Sequence, residues 1–61
     1  MKIFDPQGNR LGIVNGNLSL HSDDPRLRAT WEEAGRTIPP HSGNAEMLLQ
    51  QYLEDEGYRV E

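Results

Sequence analysis

The dipeptide Asn15-Gly16, inside the segment LGIVNGNLSL, constrains this chain more than any other feature of its sequence. Asn-Gly between apolar runs is typical of a two-residue type I′ β-turn, because asparagine and glycine tolerate the positive φ that both central positions require. Such a turn pairs Val14 with Asn17 across the hairpin and thereby sets the register of both strands. The side chains that then share one apolar face are Leu11, Ile13, Leu18 and Leu20.

A second turn is predicted at Asp5-Pro6-Gln7-Gly8, because proline favours the second position of a type I turn and glycine the left-handed residue that follows. A three-residue hairpin loop at this place pairs Phe4 with Arg10 and Ile3 with Leu11. Ile3 then lies on the same face as the apolar side chains of the next hairpin. The two turns together predict a three-stranded antiparallel meander over residues 1–5, 9–14 and 17–21.

The first helix is predicted to begin at Pro25. Proline is favoured at the first helical position, and the carboxylate of Asp24 can accept hydrogen bonds from the free N–H groups of the first turn. Gly35 is predicted to end the helix in a left-handed conformation. The apolar stripe between these two points consists of Leu27, Trp31 and Ala34. Trp31 fits either a core position or the anchor of an interface.

The second helix is predicted over about Asn44–Glu56, after a stiff connector that contains Pro39-Pro40. Its apolar residues have the most regular helical spacing in the chain, namely Ala45, Leu48, Leu49, Tyr52 and Leu53. Gly57 is predicted to end this helix in a left-handed conformation, with Tyr58 contacting Leu53. Residues 58–60 either add a short strand to an edge of the sheet or lie along the helix.

These elements predict one α+β domain over residues 1–61, a three-stranded antiparallel β-meander followed by two α-helices packed on one sheet face (β-β-β-α-α). The chain has no cysteine, which excludes disulfide bonds and thiolate metal sites and favours a cytoplasmic protein. No apolar run approaches the roughly 20 residues of a membrane span, so no membrane partner is expected.

The negative charge of the chain is concentrated in its last part. Residues 1–36 carry equal numbers of acidic and basic side chains, so the whole net charge of −4 falls in residues 37–61. A phosphate backbone is bound through basic patches, and direct nucleic-acid binding is therefore not expected. A nucleic-acid mimic, with carboxylates in place of phosphates, is a minor alternative, because six basic side chains oppose it. The expected partner is a protein with a basic surface.

Glu54, Asp55 and Glu56 form the acidic end of the second predicted helix. The helix dipole favours cations at this end, and each carboxylate is disfavoured there by about 0.3–1 kcal/mol before screening. Departures of this kind are expected where function outweighs stability, which predicts an acidic docking patch. The alternative is a solvated cluster that adds solubility and is partly offset by an ion pair between Asp55 and Arg59.

The sheet face opposite the helices is the second candidate surface. The predicted register places Phe4, Arg10 and Val14 on it, among mostly polar side chains. A small sheet with one uncovered face and two edges invites strand addition or pairing with another copy. Isolated apolar residues on a surface are also ordinary and need no functional explanation.

Catalytic and metal chemistry have little support in the sequence. The candidate metal ligands besides carboxylates are His21 and His41, which lie in separate connectors. The run His21-Ser22-Asp23 contains the residue types of a nucleophilic triad, but Ser22 and the aspartates also suit the start of a helix. No enzyme activity, metal or cofactor is therefore predicted.

The function predicted from these features is that of a small non-enzymatic protein-binding module. In its concrete form it is a regulator or inhibitor of the phage or mobile-element type, which docks on a larger protein machine through its acidic helix end. The alternative is a structural or virion subunit that associates with itself through the outer sheet face or an edge.

Overall fold

Four antiparallel strands and two helices make up the structure, a computed structural model that describes residues 1–39 and 43–61. In chain order they are β1 (Lys2–Phe4), β2 (Arg10–Val14), β3 (Leu20–Ser22), α1 (Pro25–Thr37), α2 (Ala45–Asp55) and β4 (Arg59–Val60). The strand order in the sheet is β3-β2-β1-β4. The predicted α+β fold, with a meander followed by two helices, is confirmed. Pro40 and His41 lie outside the described residues.

The first hairpin forms as predicted. The backbone N–H of Asp5 donates to the carbonyl of Asn9 (2.9 Å), and that of Gly8 donates to the carbonyl of Asp5 (3.0 Å). Gly8 has a φ of 91°, which is the left-handed conformation expected after a type I turn. Phe4 pairs with Arg10, as the turn predicts.

The register between β1 and β2 then shifts by one residue. Ile3 pairs with Gly12 instead of the predicted Leu11, and this shift is a β-bulge. In a regular strand Leu11 and Val14 would point to opposite faces, because they are three positions apart. The bulge removes this conflict, since both side chains now reach the core.

The second hairpin differs from the prediction in both turn and register. Val14 pairs with Leu20, not Asn17. Gly16 does not have a positive φ; Leu18 takes the left-handed conformation instead, with a φ of 64°. The backbone N–H of Leu18 donates to the carbonyl of Asn15 (2.9 Å), and that of Asn15 donates to the carbonyl of Ser19 (3.0 Å). The predicted two-residue type I′ turn is therefore wrong, and the loop repeats the three-residue design of the first hairpin.

Burial explains why this loop prevails over the Asn-Gly signal. A left-handed leucine costs about 1–2 kcal/mol, but the side chains of Leu18 and Leu20 both pack against the core. Full burial of one such side chain contributes about 1.5–3 kcal/mol, so the partial burial of both offsets a cost of this size. The new register also exchanges the two sheet faces at β2, so that Val14 is 6% exposed and Ile13 is 39% exposed.

Helix α1 begins as predicted and ends later. Pro25 is its first residue, and the Asp24 carboxylate accepts from the backbone N–H of Leu27 (3.2 Å). The predicted end at Gly35 is wrong, because this residue does not have a positive φ and the helix continues to Thr37.

Helix α2 ends in the predicted glycine motif. Gly57 has a φ of 97°, and its N–H donates to the carbonyl of Glu54 (3.1 Å) while that of Tyr58 donates to the carbonyl of Leu53 (3.0 Å). These two bonds define a Schellman motif, which turns the chain back towards the sheet. The residues that follow form β4 beside β1, with Val60 paired to Ile3.

The core lies between one face of the sheet and both helices. Its buried members come from β1, β2, α1, α2 and the turn before β4, and they are Ile3, Val14, Leu27, Leu53 and Tyr58. Trp31 is half-buried and packs against this cluster. Both helices thus contribute to the same side, and the opposite face of the sheet carries the side chains that alternate with the core residues.

Candidate interaction surfaces

Glu54, Asp55 and Glu56, together named the acidic end, are all exposed where α2 finishes. Among residues 1–39 and 43–61, the ion pairs are Arg36–Glu33 (2.8 Å) and Arg59–Glu61 (3.3 Å), so none includes the acidic end. The predicted offset of Asp55 by Arg59 is therefore not formed. The acidic end keeps its negative charge without an ion-paired cation in the described part of the chain.

A cation from the other helix compensates the end of the α2 backbone. Arg26 lies in the first turn of α1, and its Nη2 donates to the backbone carbonyl of Glu56 at a distance of 3.5 Å. The last turn of α2 has no basic residue of its own. Arg26 thus satisfies a backbone acceptor, while the exposed carboxylates of the acidic end remain available to solvent or to a partner.

Tyr52 lies one turn before the acidic end on α2. Burial, and to a smaller extent the charges of Glu33 and Glu56, raise the pKa of Tyr52 above its ordinary value. These charges disfavour the phenolate because they add to the negative charge that it would carry.

A surface cleft extends the acidic end towards the first hairpin. It has a volume of about 350 Å³, and its lining includes Asp5, Asp24, Arg26, Glu56 and Tyr58. Three of these side chains are carboxylates and one is a guanidinium, so the lining of the cleft carries more negative than positive groups. The acidic end is thereby continuous with the carboxylates of the first turn and of the α1 cap.

The open face of the sheet consists of Lys2, Phe4, Arg10, Ile13, His21 and Arg59. Residues directly opposite each other in an antiparallel pair project to the same face, and Phe4 alternates with the fully buried Ile3. Phe4 is paired with Arg10 on one side and with Arg59 on the other. The structure thus brings together Phe4 and Arg10 of the predicted site.

The open face has a second row of paired residues, beside the row of Phe4. Lys2 pairs with Ile13, and Ile13 pairs with His21. Nε2 of His21 lies 2.7 Å from Nδ2 of Asn15, at hydrogen-bond distance. Lys2, Ile13 and His21 are all exposed, so this row is available to a partner as well.

Val14, the third residue that the sequence places on the outer face, does not lie there. The β-bulge and the three-residue second loop turn its side chain into the core, beside Ile3 and Leu53. Its predicted outward placement is wrong, and Ile13 takes the outward position instead.

Lys2, which the predicted register also places on the outer face, and Arg59 are members of the open face that the sequence did not single out as partner-binding residues. They come from opposite ends of the chain, and the pairing of β1 with β4 brings their strands together. The sequence signal for Arg59 is the alternation Tyr58-Arg59-Val60, in which the arginine stands between two residues whose side chains face the core.

His21 and Ser22 of the candidate triad do not converge. Oγ of Ser22 donates to the carbonyl of Leu11 (2.6 Å) and accepts from the N–H of Asp24 (3.1 Å), which ties β3 to the start of α1. His21 projects to the open face. Within the described ranges, no group of three or more histidine, aspartate or glutamate side chains could hold a metal ion. Neither α1 nor α2 has the length and apolar character of a membrane-spanning helix.

In comparisons with known proteins, no protein-family model matches this chain, and no curated protein or solved structure is significantly similar to it.

Proposed function

We propose that this protein is a small non-enzymatic protein-binding module that docks on a basic surface of a larger protein through its acidic end. The supporting observation is the set of three exposed carboxylates on the last turn of α2, outside both ion pairs of the described residues. The helix dipole adds negative potential at the same place. A carboxylate that has no internal cation is free to pair with one on a partner.

Charges of this kind act mainly on the rate and selectivity of association. A negative patch steers a partner with a positive patch into contact and rejects partners of like charge. The adjoining cleft, with Asp5 and Asp24 in its lining, widens the surface that a basic partner would contact. A regulator or inhibitor that acts by occupying a basic site needs no chemistry of its own, and this suits a chain of 61 residues.

Peptide selection on the immobilised protein tests this proposal and does not require an identified partner. A library of random peptides about twelve residues long is selected at low salt. We expect enrichment of basic peptides whose affinity falls about tenfold in the double variant Glu54→Gln/Glu56→Gln, since electrostatic contacts at a rim dominate such binding. The matched control Glu32→Gln/Glu46→Gln removes two exposed carboxylates elsewhere and should bind the same peptides as the unmodified chain does.

Two results would overturn the proposal. One is a selection that yields no basic peptides. The other is equal loss of affinity in both double variants, which would show that only the net charge of the protein matters and that the acidic end adds solubility alone. Thermal unfolding of each variant confirms that it is folded at the temperature of the binding measurement.

A further inference from the structure

We propose that the open face is a second docking surface and that it takes an acidic segment of a partner protein. This inference does not depend on the acidic end, because the two surfaces carry opposite charge and consist of different residues. It rests on charge complementarity and on the way in which the sheet arranges cations around apolar side chains.

The first row of the face places an aromatic residue between two arginines. Phe4 is the middle residue, with Arg10 on β2 and Arg59 on β4 directly opposite it. Neighbouring strands lie about 5 Å apart, so the backbones of the two arginines lie at similar distances on either side of Phe4. Arginine binds carboxylates through two parallel hydrogen bonds, and an apolar side chain between two carboxylates would meet the ring.

The second row repeats the combination of cation and apolar side chain. Lys2 is directly opposite Ile13, which is 39% exposed and is one of the two large hydrophobic side chains exposed in the described part of the chain. The backbone of Lys2 is also hydrogen-bonded to that of Glu61 (2.7 and 2.8 Å). The ladder fixes the backbone of these residues, so the backbone needs no ordering when a partner binds.

The charge of this face is opposite to that of the chain as a whole. Lys2, Arg10 and Arg59 supply half of the six basic side chains, in a chain with a net charge of −4. One of the three is paired with Glu61 in an exposed ion pair (3.3 Å), and a pair of this kind contributes only about 0–1 kcal/mol. A partner carboxylate can therefore replace Glu61 at Arg59 at small cost.

A second copy of the chain is a poor occupant of the face. Two copies placed face to face would bring the same cations together, and like charges at an interface are destabilising. A single-stranded nucleic acid is disfavoured as well, because the face offers one aromatic ring and its phosphates would approach a protein of net charge −4. An acidic protein segment is short enough to contact the face alone.

The same peptide selection tests this surface independently of the acidic end. We expect a second class of enriched peptides that combine carboxylates with an aromatic or aliphatic side chain. Their affinity should fall about tenfold in Arg10→Glu and in Lys2→Glu, which reverse a charge in each of the two rows. Arg36→Glu makes the same charge change on the exposed side of α1 and should leave their binding unaltered, as should Glu54→Gln/Glu56→Gln.

The inference fails if acidic peptides are not enriched, or if they bind Arg10→Glu and Arg36→Glu equally well. It also fails if an oligo(dT) of about twelve nucleotides binds the unmodified chain more tightly than the peptides do and loses this binding in Arg10→Glu. Self-association in sedimentation equilibrium that Arg10→Glu abolishes would assign the face to a second copy instead. If Glu54→Gln/Glu56→Gln loses binding of the basic peptides and keeps that of the acidic peptides, the result bears on the proposed function and not on the open face.

Discussion

The guanidinium of Arg26 lies over the ring of Tyr58, with 5.4 Å between Cζ and the ring centroid. Arg26 belongs to the first turn of α1, and Tyr58 follows the glycine that ends α2. The contact therefore joins the beginning of one helix to the end of the other. Because the same guanidinium reaches the carbonyl of Glu56, it stabilises a helix end that carries three carboxylates and no cation of its own.

Tyr58→Phe is expected to stabilise the protein. The Tyr58 side chain is 5% exposed, and its Oη has no hydrogen-bond partner among the described residues. Removing a buried hydroxyl without a partner removes its desolvation penalty and keeps the ring in place, so the free energy of unfolding should rise by about 1 kcal/mol. Urea denaturation measures the difference, with Tyr52→Phe on α2 as the control. A clear loss of stability would contradict the finding that the Tyr58 hydroxyl is buried without a hydrogen-bond partner among the described residues.

The start of α1, the end of α2 and the first turn could be predicted from the sequence because their signals are local. Asp24-Pro25 begins α1, Gly57 ends α2, and Gly8 takes the left-handed position of its turn. In each case one or two neighbouring residues determine the backbone, through a fixed φ, a capping side chain or tolerance of a positive φ. No distant part of the chain is needed for these predictions.

The second hairpin could not be predicted in the same way, because its register depends on the core. The Asn15-Gly16 signal indicates a turn at the right place but of the wrong type. What decides between the two loops is how Leu18 and Val14 pack against side chains far along the chain. A shift of the pairing by an odd number of residues exchanges the two sheet faces, so one misassigned loop misplaces the side chains of β2.

The two candidate surfaces also differ in whether their residues are contiguous in the sequence or are brought together by the fold. The acidic end is contiguous in sequence, and the glycine motif that positions it is local, so Glu54 and its neighbours could be identified directly. The open face combines Lys2 and Arg59, which only the pairing of the first and last strands brings together. Charge counted along the chain therefore hides a basic surface that the fold assembles.

Gly16→Ala is expected to leave stability unchanged or to raise the free energy of unfolding by about 0.5 kcal/mol. Gly16 does not have a positive φ, and a Cβ there would meet no atom within 4 Å. The substitution then acts mainly by reducing the entropy of the unfolded chain. A type I′ turn at Asn15-Gly16 would instead make alanine unfavourable by about 1 kcal/mol. Gly8→Ala, at a φ of 91°, is the matched control and should destabilise by about that amount in urea denaturation.

Gly35→Ala is expected to stabilise α1 by about 0.5–1 kcal/mol, because glycine inside a helix costs this much relative to alanine. The helix continues past Gly35 to Thr37, and a Cβ at this position would enter open space. Thermal denaturation measures the change. Gly57→Ala provides the comparison, since its φ of 97° makes alanine strained there. Destabilisation by both substitutions would indicate that Gly35 ends the helix after all.

The stability of the first hairpin should depend on pH through Asp5. The hydrogen bond from the backbone N–H of Asn9 (2.8 Å) is the main cause that holds the pKa of this carboxyl below its ordinary value of 3.8. The N–H of Gln7 donates to the same oxygen (2.9 Å). Because these bonds favour the ionised form, folding lowers the pKa. The carboxylate thus stabilises the folded chain above the unfolded pKa, and this contribution is lost as the pH falls through the folded pKa.

Asp5→Asn isolates this contribution, because the amide keeps an oxygen acceptor but does not titrate. We expect the unmodified chain to be the more stable of the two near pH 6, and we expect the difference in unfolding free energy to shrink as the pH is lowered to about 3. Urea denaturation of both proteins across this pH range measures the difference. A difference that stays constant with pH would mean that the Asp5 carboxyl titrates alike in the folded and unfolded chains, contrary to the hydrogen bonds of the turn.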